Sequence, residues 1–93
     1  MQITLQELMN KNNPIIIDIR NRNEFDLGTI PTAINIPAIK LESSPEKYIN
    51  KTNTYYIFCN SGRRSKVLTE ILNIQGYKTV NIIGGYYNYL LRK

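Results

Sequence analysis

Histidine is absent from this 93-residue chain, and no other absence excludes as much. Ser-His-Asp and Cys-His catalysis both need an imidazole to take the nucleophile's proton, so neither is available. The commonest zinc ligand is missing too, and no metal or other cofactor is expected. A second cysteine is also lacking. The single thiol, Cys59, therefore has no partner for an internal disulfide, which in so short a chain fits a reducing, cytoplasmic setting. Long apolar runs are missing as well. "IIIDI" and "YYIFC" are the longest, far short of the roughly 20 residues that a bilayer-spanning helix needs, so no membrane association is expected. The start, "MQITLQELMN", has no basic segment followed by an apolar block, and a secretory signal is not expected.

What is present is the composition of an ordinary globular protein, 42% hydrophobic and 20% charged. The length suits one domain over residues 1–93 with a single core, and a monomer is the default expectation. A net charge of +5 invites a nucleic-acid reading. The basic residues are spread along the chain, however, apart from Arg63, Arg64 and Lys66. Neither a zinc-finger spacing nor a Gly-aromatic RNA-binding signature occurs. A small anion is the better partner, and no nucleic acid is expected.

Strand and helix signals alternate without repeats. Thr4-x-x-Glu7 is a capping box with Ile3 and Leu8 as its hydrophobic staple, opening a helix from about Leu5 to Lys11. "PIIID" is a β-branched run suited to a strand covered on both faces. Asn23 is read as the cap of a one-turn helix ending at Gly28, followed by a strand at "AINIP". A helix is expected over Leu41 to Asn50. "TYYIFC" is the next buried strand. Val67, Leu68, Ile71 and Leu72 then recur at helical spacing between Arg64 and Gln75, with Gly76 at the C-terminal end. "TVNII", a Gly84-Gly85 turn and a closing helix at "YYNYLLRK" complete the chain. This alternation implies an α/β domain of three layers, a mostly parallel sheet of about five strands with helices on both faces.

In open α/β sheets, ligands bind beyond the carboxyl ends of the strands, and Cys59 ends the strongest strand signal. A helix begins within a few residues, so backbone N–H groups and a positive helix end converge there. Gly62 allows the loop to curl into an anion-binding nest, and Arg63 and Arg64 add positive charge. A thiol in that setting has a depressed pKa without needing histidine. Two readings stand side by side. A lone cysteine ending a strand is commonly a packing residue. Basic residues at a helix N-terminus, though, oppose the macrodipole unless an anion binds between them, which favours the functional reading.

"CNSGRRS" resembles the active-site loop of single-domain rhodaneses, Cys-x-x-Gly-x-Arg-Ser. "IIIDIRNRNEFDLGTIPTAINIP" is similar to the family's N-terminal signature, with Asp-x-Arg closing a strand, then Glu-Phe, Gly-x-Ile-Pro-x-Ala and Asn-Ile-Pro. "GYKTVNIIGGYYNY" resembles its C-terminal signature, Gly-Tyr, Val and Gly-Gly before an aromatic. The likeness runs collinearly from about Ile3 to Tyr89. Departures occur at Thr29, where the family often has His, at Thr32 for Gly, at Tyr89 for Trp, and at Asn60 for an Arg after the cysteine.

The resemblance implies a rhodanese-like fold and sulfur transfer. Cys59 would attack the outer sulfur of a small anionic donor, thiosulfate or a persulfide, and carry it as a cysteine persulfide. An acceptor then takes the sulfur: cyanide, a cellular thiol, or a protein such as thioredoxin. Asn60, Ser61, Gly62, Arg63, Arg64 and Ser65 form the implied anion-binding loop. Within it Gly62 provides the curl, Arg64 holds the loop or the donor, and Arg63 faces the substrate. Ser61 and Ser65 either donate to the sulfur or satisfy backbone groups. Asp18 and Arg20 are read as a structural ion pair near the loop, and Glu24 as a first-turn helix residue. Alternatives are a persulfide-carrier or docking module and a cysteine phosphatase or arsenate reductase. Four residues separate Cys59 from Arg64, one fewer than in the phosphatase loop, and the tighter cradle suits one sulfur rather than a tetrahedral oxyanion.

Overall fold

The alternating segments assemble, in the computed structural model, which describes residues 1–92, into one five-stranded sheet. Its strands are β1 (Gln2–Ile3), β2 (Ile15–Asp18), β3 (Ile34–Asn35), β4 (Thr54–Phe58) and β5 (Lys78–Ile82), ordered β1-β5-β4-β2-β3. Every pairing is parallel. The helices are α1 (Leu5–Met9), α2 (Arg22–Leu27), α3 (Ala38–Ser43), α4 (Arg63–Ile74) and α5 (Gly85–Leu91), and a 3₁₀ turn at Pro45–Lys47 follows α3. Among the described residues no helix is long and apolar enough to cross a membrane.

Strand residues alternate between two cores, which is why β2 and β4 read as continuous apolar runs. Ile17, Tyr55 and Ile57 pack with Leu41 of α3 and with Leu68 and Leu72 of α4. Ile16, Phe58, Val80 and Ile82 pack on the opposite face with Leu8 of α1 and Tyr89 of α5. Ile57, Leu72 and Ile82 have no exposed surface, and each such side chain stabilises the fold by roughly 1.5–3 kcal/mol. β5 departs from the apolar pattern on its α4 side. There the Thr79 hydroxyl lies 2.7 Å from Asn73 Oδ1, to which it donates, and 3.1 Å from the Thr69 carbonyl, and Asn81 is also buried.

The Thr4–Glu7 capping box is present as the spacing predicts, although α1 ends at Met9 rather than near Lys11. Three local expectations are corrected. Asn21, not Asn23, caps α2, its side chain accepting from the Glu24 N–H at 2.9 Å. No single helix covers residues 41–50: α3 stops at Ser43 because Ser44, which precedes Pro45, is held out of the helical region at φ −145°, ψ 61°. The chain also opens with a strand, β1, where the sequence indicated only a helix staple. Its two residues pair with Asn81 and Ile82 of β5, far away in sequence.

Candidate active site

Cys59 immediately follows β4 and continues its alternation, so the side chain lies on the α4 side of the sheet and is 8% exposed. The next three residues turn sharply into α4. Gly62, at φ +90°, sits in the left-handed region that glycine adopts without strain, and a Cβ there would come within 3.0 Å of the Gly84 nitrogen. The N-cap residue of α4 is Gly62, which has no side chain to offer, and Ser61 Oγ accepts only from the Arg63 N–H, at 3.3 Å. The sulfur takes that role. Sγ accepts from the Gly62 N–H at 3.2 Å and from the Ser65 N–H at 3.4 Å, the third helical position, where a capping oxygen ordinarily binds. The helix end that needs an acceptor and the sulfur that needs donors satisfy each other.

These contacts set the charge state of the thiol. Burial pushes Cys59 up, since it penalises the charged form. Hydrogen bonds from the backbone N–H groups of Ser65, Gly62 and Arg64 work the other way and prevail, leaving the thiol below the ordinary cysteine value.

The loop's carbonyls are drawn away from the sulfur. Cys59 O accepts from the Tyr86 N–H and Asn60 O from the Tyr87 N–H, both at 2.9 Å, so the first turn of α5 is capped by the loop backbone. That approach explains Gly85, because a Cβ at this position would collide with the carbonyl oxygens of Cys59 and Asn60. With the carbonyls bound to α5, the N–H groups face inward.

Across the pocket stands a buried ion pair. Asp18 is fully buried and accepts from the Arg20 N–H at 2.9 Å, from the guanidinium at 2.7–3.1 Å and from the Thr29 hydroxyl at 2.9 Å. Arg20 also donates to the Gly28 carbonyl at 2.6 Å and lies over the Tyr86 ring at 4.2 Å. Its remaining end reaches Asn60 Oδ1 at 3.4 Å, and Asn60 Nδ2 donates to Glu24 Oε2 at 2.7 Å. Asn60 thus bridges a cation and an anion, which fixes its side chain.

Ile19, Arg20, Asn21, Glu24, Cys59, Asn60, Ser61 and Arg64 line a pocket of about 300 Å³ above the sulfur. Of the sequence-predicted residues, Cys59, Asn60, Ser61, Arg64 and Arg20 meet there, while Gly62 and Ser65 lie beneath and Asp18 behind Arg20. Arg64 forms no hydrogen bond or ion pair with another side chain among the described residues, which leaves its guanidinium available to an anion. Arg63, read as substrate-facing, is exposed and outside the lining. Consecutive helical residues point about 100° apart, which turns Arg63 toward solvent when Arg64 lines the pocket. Sequence reasoning placed Glu24 in the first turn of a helix, where it is, but not at the pocket wall, and it missed Asn81. The Asn21-x-x-Glu24 spacing was the available signal for Glu24, placing it in the first turn of a helix that begins beside Arg20.

An open parallel α/β sheet with a hydrogen-bonded thiol at the carboxyl end of a central strand defines a class of domain. The chain belongs to the rhodanese-like domain family, whose model matches residues 2–91. It is 39% identical over 72 residues to YtwF of Bacillus subtilis (strain 168), covering 75% of this chain and 67% of that protein. It is 30% identical over 102 residues to the human thiosulfate:glutathione sulfurtransferase, covering 96% and 89%. A crystal structure of a rhodanese-like domain protein from Staphylococcus aureus superposes with a TM-score of 0.83 at 34% identity, covering 94% of this chain and 89% of that one. Some relatives are longer; the chain spans 38% of YrkF, also from Bacillus subtilis. Relatives of this kind support a transferase that moves sulfur.

Proposed function

We propose that the protein is a sulfurtransferase that carries sulfane sulfur on Cys59, from thiosulfate or a persulfide to a thiol or to cyanide. One observation carries the reading: two backbone N–H groups converge on Sγ, and Arg64 stands unpaired at the rim of the same pocket. The thiolate attacks the outer sulfur of thiosulfate. A Cys59 S–S bond forms, the sulfur–sulfur bond of the donor breaks, and sulfite leaves with that electron pair. An acceptor thiolate then attacks the outer persulfide sulfur, and Cys59 departs as the thiolate. The acceptor ends as a persulfide, or as thiocyanate when cyanide accepts.

The residues divide this work. The loop N–H groups bear the negative charge on the inner sulfur before attack and after release. Arg64 draws in the anionic donor and favours departing sulfite. Asp18 and Arg20 act as a frame that fixes Asn60 at the pocket wall. Carriage of the persulfide to a protein acceptor, with little turnover alone, is the second form of this reading and uses the same residues.

The test is intact mass and sulfite release after incubation with thiosulfate. The wild type should gain one sulfur atom on Cys59 and release sulfite, whereas Cys59→Ala should do neither. A wild type that stays unmodified with thiosulfate and with glutathione persulfide would sink the proposal. Cys59-dependent hydrolysis of an aryl phosphate would replace it with a phosphatase.

A further inference from the structure

Beneath the sulfur runs a buried polar chain whose protons have one consistent placement. Asn81, on β5, is 1% exposed. Its Nδ2 donates to the Gly62 carbonyl at 3.2 Å and to Gln2 Oε1 at 3.0 Å. A backbone carbonyl only accepts, so turning this amide around would set oxygen against oxygen. Asn81 Oδ1 therefore faces the Ser65 hydroxyl, at 2.5 Å. Because Oδ1 also only accepts, the Ser65 proton lies on that contact. A hydroxyl has one proton to give, and Cys59 Sγ stands 3.4 Å from the same oxygen. Ser65 thus turns a lone pair toward the sulfur and keeps its proton on Asn81.

We propose that Asn81 is a positioning residue for Cys59: by holding the Ser65 hydroxyl proton, it withholds one hydrogen-bond donor from the sulfur. The thiolate is left with backbone N–H donors. The inference rests on Cys59 as the reacting sulfur of the proposed function. Donors that stabilise a thiolate also dull it, because nucleophilicity falls with basicity by a Brønsted factor of about 0.4–0.5. A hydrogen bond to a charged group is worth on the order of tenfold in ionisation. Releasing the Ser65 proton to the sulfur would therefore raise the thiolate fraction about tenfold at acidic pH and lower the reactivity of each thiolate about threefold. Asn81 trades ease of ionisation for reactivity. The arrangement also suits the loaded state, in which the inner sulfur has neither charge nor proton and no hydroxyl has to let go of it.

The charged side chains facing the sulfur's pocket are Arg20, Glu24 and Arg64. From α4 and β5, behind the sulfur, come the neutral Ser65, Leu68 and Asn81. None of the charged groups is altered in the following variants. The experiment is the pH dependence of Cys59 alkylation by iodoacetamide in the wild type, Ser65→Ala, Asn81→Leu and the double variant. This reagent reports on the thiol whatever the sulfur donor, so failure with thiosulfate and failure here are separate results.

Ser65→Ala removes only an acceptor of the weak S–H donor, so its acidic-limb rate should rise, by about twofold. Asn81→Leu should move the midpoint to lower pH, cut the plateau rate about threefold and raise the acidic-limb rate about threefold, tenfold more thiolate at one-third the reactivity. In the Ser65→Ala background the same Asn81 change should shift nothing, although the Gly62 contact is lost in both. A Ser65→Ala acidic-limb rate that falls by more than about twofold overturns the proposal, and so does an Asn81→Leu effect that persists without the hydroxyl. Should Asn81→Leu not fold, the direction of the Ser65→Ala change decides alone.

Discussion

Replacing Arg20 by methionine keeps an unbranched side chain over the Tyr86 ring but strands a carboxylate. Asp18 is wholly buried, and of its contacts only the Arg20 N–H and the Thr29 hydroxyl would survive. Removing one partner of a buried pair costs about 3–5 kcal/mol, because the other charge stays behind without solvent. A domain of this length has on the order of 5–14 kcal/mol in total, so the loss is a large share of it. At about 4–8 °C per kcal/mol for a chain of this size, Tm should fall by at least about 12 °C. The reverse change is milder. In Asp18→Asn the guanidinium retains the Gly28 carbonyl and the Tyr86 ring and faces the pocket, where water reaches it. Its cost should be about 1–3 kcal/mol. The double variant should be no less stable than Arg20→Met alone, since the stranded charge is gone, giving a coupling above about 1 kcal/mol. Urea unfolding of the three variants measures these terms. Strictly additive losses, or an Arg20→Met cost below about 1 kcal/mol, would refute the account of this pair.

Three further outcomes are open to measurement. Gly85→Ala drives a methyl group into the Cys59 and Asn60 carbonyls and should cost at least about 2 kcal/mol in urea unfolding while slowing persulfide formation. Thr32 is a β-branched residue at φ +71°, so Thr32→Gly should relieve strain and raise Tm by several degrees, with a gain of about 1 kcal/mol after the entropy of the added glycine. Cys59 is lowered in the folded state, and its ionisation therefore adds stability that is fully present above the unfolded midpoint, about 8.5, and is lost as pH falls through the folded one. Native protein should accordingly reach its iodoacetamide plateau at lower pH than urea-unfolded protein, and coincident profiles would contradict the hydrogen-bonded sulfur.

The parts of the fold legible in the sequence were those whose signal is local. The capping box at Thr4 and Glu7, the runs at Ile15–Asp18 and Tyr55–Phe58, and the helical spacing from Val67 to Leu72 each announce their element within a few residues. Choices between near-equivalent residues were not legible. Asn21 and Asn23 are equally good caps, and the one that acts is decided by where β2 leaves the sheet. β1 has two residues, too few for any period, and exists because β5 offers it an edge. The cysteine loop stood out through its charge and glycine, but its supports did not. Asn81 sits inside an apolar strand signal, and Glu24 looks like any first-turn carboxylate. Their roles depend on contacts across 19 and 36 residues of chain.

The contact of α5 with the Cys59 carbonyl also governs when the thiol becomes reactive. Gly62, Ser65 and Cys59 emerge during synthesis before Asn81, Tyr86 and Tyr87, which fix the loop's amide directions. β5 enters between β4 and β1, so the sheet's first strand has no neighbour until that same segment arrives. Chains grow at about 5–20 residues per second, slowly enough for the earlier elements to wait, exposed, for the later ones. Through that interval Cys59 is an ordinary thiol without gathered donors. Nascent, truncated or unfolded copies therefore carry less thiolate at neutral pH than the finished fold, which gathers the donors that favour it.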